Sequence, residues 1–433
     1  MKVGSGLMPL RSGEKLAVLL PGMGAVATTA IAGVAAVKRG LAAPVGSLTQ
    51  LGHLDDAAGQ HGPLLKDILP LAALGDVVFG GWDPIPDDVY QACLRAKVLE
   101  REHVDPLREE LEAIKPMPAV FDTAWVRRLD GPNVKKGSHR AKVEALGEDI
   151  RGFMAKNGCT RAVMVWTGST EVYAEVGPAH LSIAAFEAAL DRSDPTIAPS
   201  MMYAYAAIQA GVPFLNGAPN LSQDVPALRE LAEAKGVVTG GKDFKTGQTL
   251  MKTTIAPMLH ARLLGLDGWF STNILGNRDG EVLDDAASFK TKEVSKLGVL
   301  DSILDPRQHP ELYAHVDHKV TIHYYPPRGD NKEGWDAIDL FGWLGYPMHI
   351  KVNFQCRDSI LAAPIVLDLA LLGDLAQRAG EKGPQEWLSF FFKSPVTVPG
   401  RTAVHDLFQQ QTNLQEKLRT YAQAMKPARS AVG

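Results

Sequence analysis

A short turn near the start of the chain combines the residue types that hold a dinucleotide. Gly22-Met23-Gly24-Ala25-Val26-Ala27 follows the apolar run Lys15–Leu20 and precedes small, helix-compatible residues that continue to Lys38. In a G-x-G-x-x-A turn the glycines let the backbone bend sharply and approach a pyrophosphate, which meets the free N–H groups of the helix start. We therefore predict a cofactor site here, and a tight turn without a ligand is the alternative.

The acidic residue that binds the ribose in this motif usually follows about 20 positions later. It is missing here, because Ala43–Gln50 contains no acid. Asp83 is the better candidate, since it follows the apolar run Val77–Phe79 and a strand-end carboxylate can accept hydrogen bonds from both ribose hydroxyls. The alternative is that Asp83 caps a helix that begins at Pro84.

Four lysines could stabilise negative charge that develops during a reaction. Lys292 and Lys296 have the i, i+4 spacing that places them on one helix face, and a merely solvated face is the alternative. Lys332 is the third candidate. Lys393 directly follows Phe390–Phe392, so its amine can emerge from an apolar wall that favours the neutral, basic form. The alternative for Lys393 is a side chain that reaches the surface.

Carboxylates and amides near glycines or strand ends form a third group of candidates, although each alone could be a turn residue. They are Asp243, Asn273, Asn277, Asp279, Asp330 and Asp358. His315, His318 and His323 could form a metal cluster. Their spacings of three and five fit neither one helix face nor one strand face, so we predict no metal site there.

The elements that must position these residues alternate between strand and helix. Apolar runs of buried-strand type, each followed by a turn, are Lys15–Leu20, Asp76–Phe79, Ala162–Trp166 and Val212–Leu215. Helical patterns such as Asp88–Glu102 and Val225–Lys235 lie between them. This alternation predicts a doubly wound α/β domain with a parallel sheet.

The character of the chain changes from about Thr249 onward. The strand-like pieces Val320–Tyr325 and His349–Phe354 have fewer helices between them, which predicts a second layer with antiparallel pairing. After Asp358 the chain returns to long helical patterns such as Ile360–Leu375.

Composition excludes several classes of protein. The 433 residues have a net charge of −4, without the basic excess of a nucleic-acid binder. The three cysteines have neither a disulfide nor a zinc spacing. Leu16–Val37 is uncharged, but Pro21, Gly22 and Gly24 interrupt it, so we predict a strand, turn and helix instead of a membrane span. We expect a cytoplasmic protein that binds neither nucleic acid nor membrane.

Long segments of the chain, from Lys15 to about Pro399, resemble the inositol-3-phosphate synthase family, also called myo-inositol-1-phosphate synthases. The segments that carry the resemblance are Gly46-Ser47-Leu48-Thr49-Gln50, Gly81-Trp82-Asp83, Trp166-Thr167-Gly168-Ser169-Thr170-Glu171, Asn216-Gly217-Ala218-Pro219, Asp243-Phe244-Lys245-Thr246-Gly247-Gln248-Thr249, Gly276-Asn277-Arg278-Asp279-Gly280, Lys292-Glu293-Val294-Ser295-Lys296, Asp358-Ser359-Ile360-Leu361-Ala362 and Ser389-Phe390-Phe391-Phe392-Lys393.

The resemblance implies an α/β fold in which a Rossmann-type NAD-binding domain carries an inserted α+β catalytic and oligomerisation domain. Residues 1–248 would form the first part of the NAD-binding domain, 249–357 the catalytic and tetramerisation domain, and 358–433 a return to the NAD-binding domain. A homotetramer is implied. The residues that would line the cofactor are Gly22, Met23, Gly24, Ala25, Val26, Asp83, Thr167, Gly168, Gly217, Ala218, Asp243, Asp358 and Ser359.

The resemblance also implies the substrate and the reaction. D-Glucose 6-phosphate would become 1D-myo-inositol 3-phosphate by oxidation at C5, enolisation, intramolecular aldol closure and reduction, with NAD regenerated. Ammonium or a divalent cation is the accessory ion that the family uses. The residues that would surround the sugar phosphate are Lys292, Lys296, Lys332, Lys393, Asp243, Asn273, Asp279 and Asp358.

Two departures from the family's pattern bear on the site. Ala25-Val26-Ala27 stands where the family usually has Asn-Asn-Gly, so we expect backbone groups alone to contact the pyrophosphate. Lys242 replaces an aspartate before Asp243. A sugar-phosphate dehydrogenase that releases NADH and a non-catalytic NAD-binding scaffold are the competing functions.

Overall fold

The larger of the two sheets is parallel and has seven strands. The computed structural model describes residues 13–55, 62–283 and 299–425. The strands of this sheet are β1 Lys15–Pro21, β2 Val77–Asp83, β3 Met117–Pro118, β4 Cys159–Trp166, β5 Phe214–Asn216, β6 Val238–Gly241 and β11 Gly383–Pro384. They lie in the order β11-β6-β5-β4-β1-β2-β3, and all neighbours pair in parallel. The predicted doubly wound domain is confirmed.

The helices of the described chain include short connecting turns and long packing elements. The α-helices are α1 Ala25–Lys38, α2 Leu48–Leu51, α3 Leu65–Ile68, α4 Val89–Ala96, α5 Arg101–Val104, α6 Arg108–Glu112, α7 His139–Asn157, α8 Ile183–Asp191, α9 Pro199–Gln209, α10 Pro226–Lys235, α11 Gly247–Ala261, α12 Arg278–Leu283, α13 Pro310–Tyr313, α14 Asp358–Arg378 and α15 Leu407–Met425. Residues 299–303 are also helical.

Both faces of the parallel sheet are buried, because successive strand residues point to opposite faces. In β1, Leu16, Val18 and Leu20 belong to a core shared with α1 and α14. Ala17 and Leu19 belong to a second core shared with α7 and α9. The near-continuous apolar sequence of β1 follows from this two-sided burial.

The second sheet has four strands and mixed pairing. Its strands are β7 Gly265–Leu275, β8 Asp317–Tyr324, β9 Asn331–Phe341 and β10 Pro347–Arg357, in the order β10-β9-β7-β8. β9 is antiparallel to β7 and β10, as predicted. The prediction of antiparallel pairing is wrong for β7 and β8, which pair in parallel. A parallel pair needs a long crossover, and β7 and β8 are far enough apart in the chain to allow one.

The predicted helix Asp88–Glu102 is two helices in the structure. α4 ends at Ala96 because Lys97 takes a left-handed conformation with φ of 53°. α5 then begins at Arg101. The apolar periodicity did not reveal this break, since no glycine marks the left-handed position.

One described helix, α14, is long and apolar enough to cross a membrane. Of its most apolar stretch, 78% is buried inside the protein. The helix packs against α1 and β4. Its apolar surface is therefore covered by the protein itself. The segment Leu16–Val37 forms β1, a turn and most of α1, as predicted.

Candidate active site

A crevice of about 220 Å³ opens at the carboxyl ends of the parallel strands. Ligands of doubly wound sheets bind at this edge, where loops from several strands meet. The predicted cofactor residues that line the crevice are Gly22, Gly24, Ala25, Val26, Asp83, Thr167, Gly168, Gly217, Ala218, Asp243, Asp358 and Ser359. Met23 is 3% exposed and lies in the core beneath the turn.

The turn after β1 can be formed only with glycine at position 22. Gly22 has φ of +86°, and a Cβ added there would lie 2.2 Å from Gly168 Cα. The Gly22 N–H donates to the Trp82 carbonyl at 2.8 Å, and the Thr167 hydroxyl donates to the Gly22 carbonyl at 2.8 Å. The turn is therefore held between the ends of β2 and β4.

The start of α1 fits a pyrophosphate. Gly24 is its N-cap, no side chain caps it, and its first turn contains no acid. A Cβ added at Gly24 would meet no atom within 4 Å, so the space in front of the helix is open. The first N–H groups of a helix have no partners within it and favour negative charge. The Ala25-Val26-Ala27 departure leaves these backbone donors in place.

Asp83 ends β2 at the crevice and is 8% exposed. Its Oδ1 accepts a hydrogen bond from the Ile85 N–H at 2.9 Å. The alternative that Asp83 caps a helix is wrong, because the next helix begins at Val89 and Asp88 caps it by accepting from the Gln91 N–H. Asp83 stands at a strand end, where the ribose interpretation requires it.

The predicted catalytic residues Lys393 and Asp243 form a buried ion pair at the crevice. The Lys393 amine donates to Asp243 Oδ1 at 3.2 Å, and the two residues are 3% and 2% exposed. Two backbone segments hold the pair, since the Lys393 N–H donates to the Asp243 carbonyl and the Lys245 N–H donates to the Phe391 carbonyl. The alternative of a surface-reaching Lys393 is wrong.

Lys332 and Asp358 form a second pair, between the two sheets. The Lys332 amine lies 3.2 Å from Asp358 Oδ2, at the start of α14. Gly247 begins α11 beside this pair, because a Cβ added there would lie 3.8 Å from Lys332 Nζ and from Asp358 Oδ1. No side chain caps α11 and its first turn contains no acid. The first N–H groups of a helix have no partners within it, so the start of α11 and the Lys332 amine together suit an anion.

Asn273 is fully buried in β7 behind the start of α11. Its amide donates to Gln248 Oε1, and Gln248 in turn donates to the Thr272 and Trp335 carbonyls. Asn273 thus contacts α11 in the described structure instead of lining the crevice. The pattern did not reveal the role of Gln248.

The carboxylate of Asp330 lies beside the second pair. Its Oδ1 accepts from Asn277 at 2.8 Å and from Ser359 at 3.2 Å, while its Oδ2 is buried without a hydrogen-bond partner in the described chain. Burial is the main cause that raises the pKa of Asp330, and the charge of Asp358 adds to it. A small cation would satisfy this orphaned oxygen.

Three predicted residues lie wholly or partly outside the described residues. Lys292 and Lys296 lie outside the described residues, and the side chain of Asp279, in α12, does as well. Of the three histidines, His318 lies 2.7 Å from the Lys252 amine, a poor setting for a metal. No group of three or more His, Cys, Asp or Glu in the described ranges is arranged to hold a metal ion.

Comparison with known proteins places this geometry in a family. The profile of the myo-inositol-1-phosphate synthase family matches residues 16–419. Inositol-3-phosphate synthase 1 of Bacteroides thetaiotaomicron is 55% identical over 416 residues, which are 95% of this chain and 97% of that protein. The chain belongs to the inositol-3-phosphate synthase family.

More distant inositol-3-phosphate synthases show the same match. Inositol-3-phosphate synthase 1 of Oryza sativa is 34% identical over 441 residues, which cover 94% of this chain and 85% of that protein. The crystal structure of the Caenorhabditis elegans enzyme has a TM-score of 0.88 at 30% identity and covers 96% of this chain and 86% of that one. The Rossmann-type NAD-binding fold with a second mixed sheet is therefore that of inositol-3-phosphate synthases, and the chain is an enzyme of this family.

The structure accounts for one departure from the inositol-3-phosphate synthase pattern. Lys242, which the resemblance sets in place of an aspartate, forms an ion pair of 2.8 Å with Asp224. The positive charge of Lys242 is therefore balanced locally.

Glu171 is a crevice residue whose state the sequence did not indicate. It is 2% exposed and accepts hydrogen bonds from the Ser200 hydroxyl and N–H at the start of α9. Burial raises the pKa of Glu171 to about 7, although the hydrogen bonds from Ser200 oppose the rise. The sequence feature that could have indicated this contact is the start of α9 at Pro199, where Ala198 offers no side chain to cap the helix.

Proposed function

We propose that this protein converts D-glucose 6-phosphate into 1D-myo-inositol 3-phosphate in an NAD-dependent reaction without net redox change. One observation supports it above the others: the Lys393–Asp243 pair lines the crevice that carries the dinucleotide-type turn, and Asp358, which lines the same crevice, pairs with the buried Lys332. An ordinary dinucleotide site has no need of two buried amines. A reaction that develops negative charge on sugar oxygens beside a phosphate does need them.

The residues can be assigned to the parts of the substrate. When bound, NAD would accept the hydride of C5 and later return it. The Lys393 amine would stabilise the enolate oxygen or the C1 oxyanion, and Asp243 would keep that amine protonated and oriented. Lys292 would exchange a proton at the C5 oxygen, as proposed from the family motif that contains it.

The substrate phosphate would lie between Lys332 and the start of α11. Gly247, Gln248 and Thr249 supply backbone N–H groups at that helix start, and no side chain of α11 competes for them. Lys296 would add charge from the segment outside the described residues. Asn273 would act through Gln248, by fixing the helix start against β7.

We propose that the accessory ion, ammonium or a divalent cation, sits at Asp330. The buried Oδ2 of Asp330 supports this place, and the hydroxyl oxygen of Ser359 lies beside the same carboxylate. An ion there would lie close to Asp358 and so influence the Lys332 pair.

We propose that the protein assembles as a homotetramer through the inserted sheet. The turn between β9 and β10 exposes Trp343, Leu344 and Tyr346 by 88%, 80% and 70%. Apolar side chains clustered in this way mark an interaction surface. The assignment of 249–357 to a catalytic and tetramerisation domain, between NAD-binding parts 1–248 and 358–433, belongs to the same proposal. A cytoplasmic location stays a prediction from the sequence.

A single assay separates this function from its competitors. Purified protein is incubated with glucose 6-phosphate and NAD well below the substrate concentration, and inositol phosphate and NADH absorbance are followed together. We expect inositol phosphate in excess of the NAD present. A dehydrogenase would stop with NADH accumulated, and a scaffold would yield neither; either result would refute the proposal.

A further inference from the structure

Lys245 is a buried lysine within the segment that connects Asp243 to α11. It is 4% exposed, and its amine donates to Gln410 Oε1 in α15. Gln410 is fully buried and donates in turn to the Val404 carbonyl at 2.6 Å. A continuous set of hydrogen bonds therefore joins the crevice segment to the C-terminal helix.

The groups around the Lys245 amine show why it is costly to bury. Burial lowers the pKa of Lys245 to about 7, and the nearby charge of Asp406 opposes this only partly. His405 is close enough to feel the charge of the Lys245 amine. Burial, and to a smaller extent this charge, lowers the pKa of His405 to about 4. An apolar residue would pack here at lower cost if packing were the only requirement.

The backbone of Lys245 and its side chain act on the same structure. The Lys245 N–H donates to the Phe391 carbonyl at 2.8 Å, two residues before Lys393. The Lys393 N–H donates to the Asp243 carbonyl, two residues before Lys245. The 243–245 and 391–393 segments are thus paired at two points, and Gln410 fixes the end that lies farther from the Lys393–Asp243 pair.

We propose that Lys245 is a positioning residue: by binding Gln410 it fixes the 243–245 segment to α15 and so sets the geometry of the Lys393–Asp243 pair. This inference rests on the proposed function, because the pair is assigned to the enolate or C1 oxyanion there. The Lys245 amine contacts Gln410, and Lys245 is not among the residues that line the crevice. Its effect is therefore on turnover more than on substrate binding.

The test compares Lys245→Met, Gln410→Leu and their double variant. Methionine keeps an unbranched stem and removes the amine. A displacement of about 1 Å in a catalytic group can cost about 100-fold in rate, so we expect kcat to fall by about that factor. The KM for glucose 6-phosphate and the Kd for NAD should change by less than about threefold. The double variant should lose no more kcat than the worse single variant, because one contact is removed.

The matched control is Lys252→Met, seven residues later. Lys252 is 2% exposed, and its amine contacts His318 in the second sheet instead of α15. We expect its kcat to stay within about threefold of that of the wild type. Thermal unfolding of each variant confirms that folded enzyme is compared.

Three outcomes would overturn the inference: unchanged kcat in folded Lys245→Met, equal losses in Lys252→Met, or additive losses in the double variant. If the wild type makes no inositol phosphate, the proposed function fails instead. Failure of the inference and failure of the function are thus distinguishable.

Discussion

The buried lysines that pair with Asp243 and Asp358 and the buried Lys252 of α11 have different electrostatic surroundings. Lys393 and Lys332 each lie 3.2 Å from a carboxylate. Lys252, in α11, lies beside the ring of Trp269 and 2.7 Å from His318 Nε2, and burial lowers its pKa to about 8. The two lysines that are assigned to the reaction each pair with an acid, whereas Lys252 contacts a histidine and an aromatic ring and has a lowered pKa.

The largest expected effect separates the two kinds of lysine directly. Lys393→Ala removes the amine that we propose to stabilise the enolate or C1 oxyanion, and loss of one such group costs about 1,000-fold in turnover. Lys252→Met should leave turnover within about threefold. Steady-state kinetics with NAD-binding measurements check both. Full activity in Lys393→Ala, with NAD binding intact, would remove Lys393 from the mechanism.

The next comparison is between two glycines of the same turn. Gly22→Ala forces a left-handed alanine and a clash with Gly168, so we expect a stability loss of about 3 kcal/mol or more. Gly24→Ala meets open space and should fold normally. Its methyl group would occupy the place assigned to the pyrophosphate. We expect the NAD Kd to rise about tenfold, which corresponds to a loss of about 1.4 kcal/mol of binding free energy. Calorimetry of unfolding and of NAD binding measures the two effects, and unchanged affinity in Gly24→Ala would contradict the cofactor placement.

The two regions should also differ in the sign of their pH dependence. The pKa of Glu171 is raised from 4.5 to about 7, so its contribution to stability is present below pH 4.5 and is lost as pH rises through about 7. The expected loss is about 3 kcal/mol. Glu171→Gln should remove this loss, measured as the difference in unfolding free energy between pH 5 and pH 8.

Lys252 should behave in the opposite way. Its pKa is lowered from 10.5 to about 8, so the folded protein releases the proton first and gains stability between about pH 8 and pH 10.5. His318, with its pKa lowered to about 4, stays neutral throughout this range. Lys252→Met should abolish the gain in unfolding experiments. If the unfolding free energy of the variant and of the wild type rises equally with pH over this range, another group is responsible for the gain.

The smallest expected effect on the chemistry comes from the far side of the second sheet. Trp343→Ser combined with Tyr346→Ser removes two exposed aromatic side chains from the turn between β9 and β10. We expect a lower assembly mass in light scattering, with NAD binding retained. A wild-type mass that persists in the variant would place the tetramer contact elsewhere.

The sequence predicted most of the parallel sheet, because its strands are short apolar runs with clear turns after them. The two-sided burial of Leu16 to Leu20 explains why that signal was strong. The parallel pairing of β7 and β8 was not predictable. Alternation of apolar and polar residues indicates a strand, but it does not indicate whether the neighbouring strand runs parallel or antiparallel. The left-handed Lys97 was missed for a similar reason: only local backbone geometry distinguishes it.

Single residues of the site were predictable from motifs, but their pairing was not. Nothing in the local pattern indicates that Lys393 would meet Asp243, 150 residues earlier, or that Lys332 would meet Asp358. These contacts depend on how α14 and the 391–396 segment return to the crevice. The supporting residues Gln248, Glu171 and Lys245 were missed because buried polar residues resemble turn or surface residues in a sequence.

The most direct measurement of the central claim uses glucose 6-phosphate that carries deuterium at C5. If NAD accepts the C5 hydride and returns it within the crevice, the inositol phosphate should retain the deuterium at the carbon derived from C5. It should do so over many turnovers with NAD well below the substrate concentration. Accumulation of deuterated NADH in solution, or product without deuterium, would contradict it.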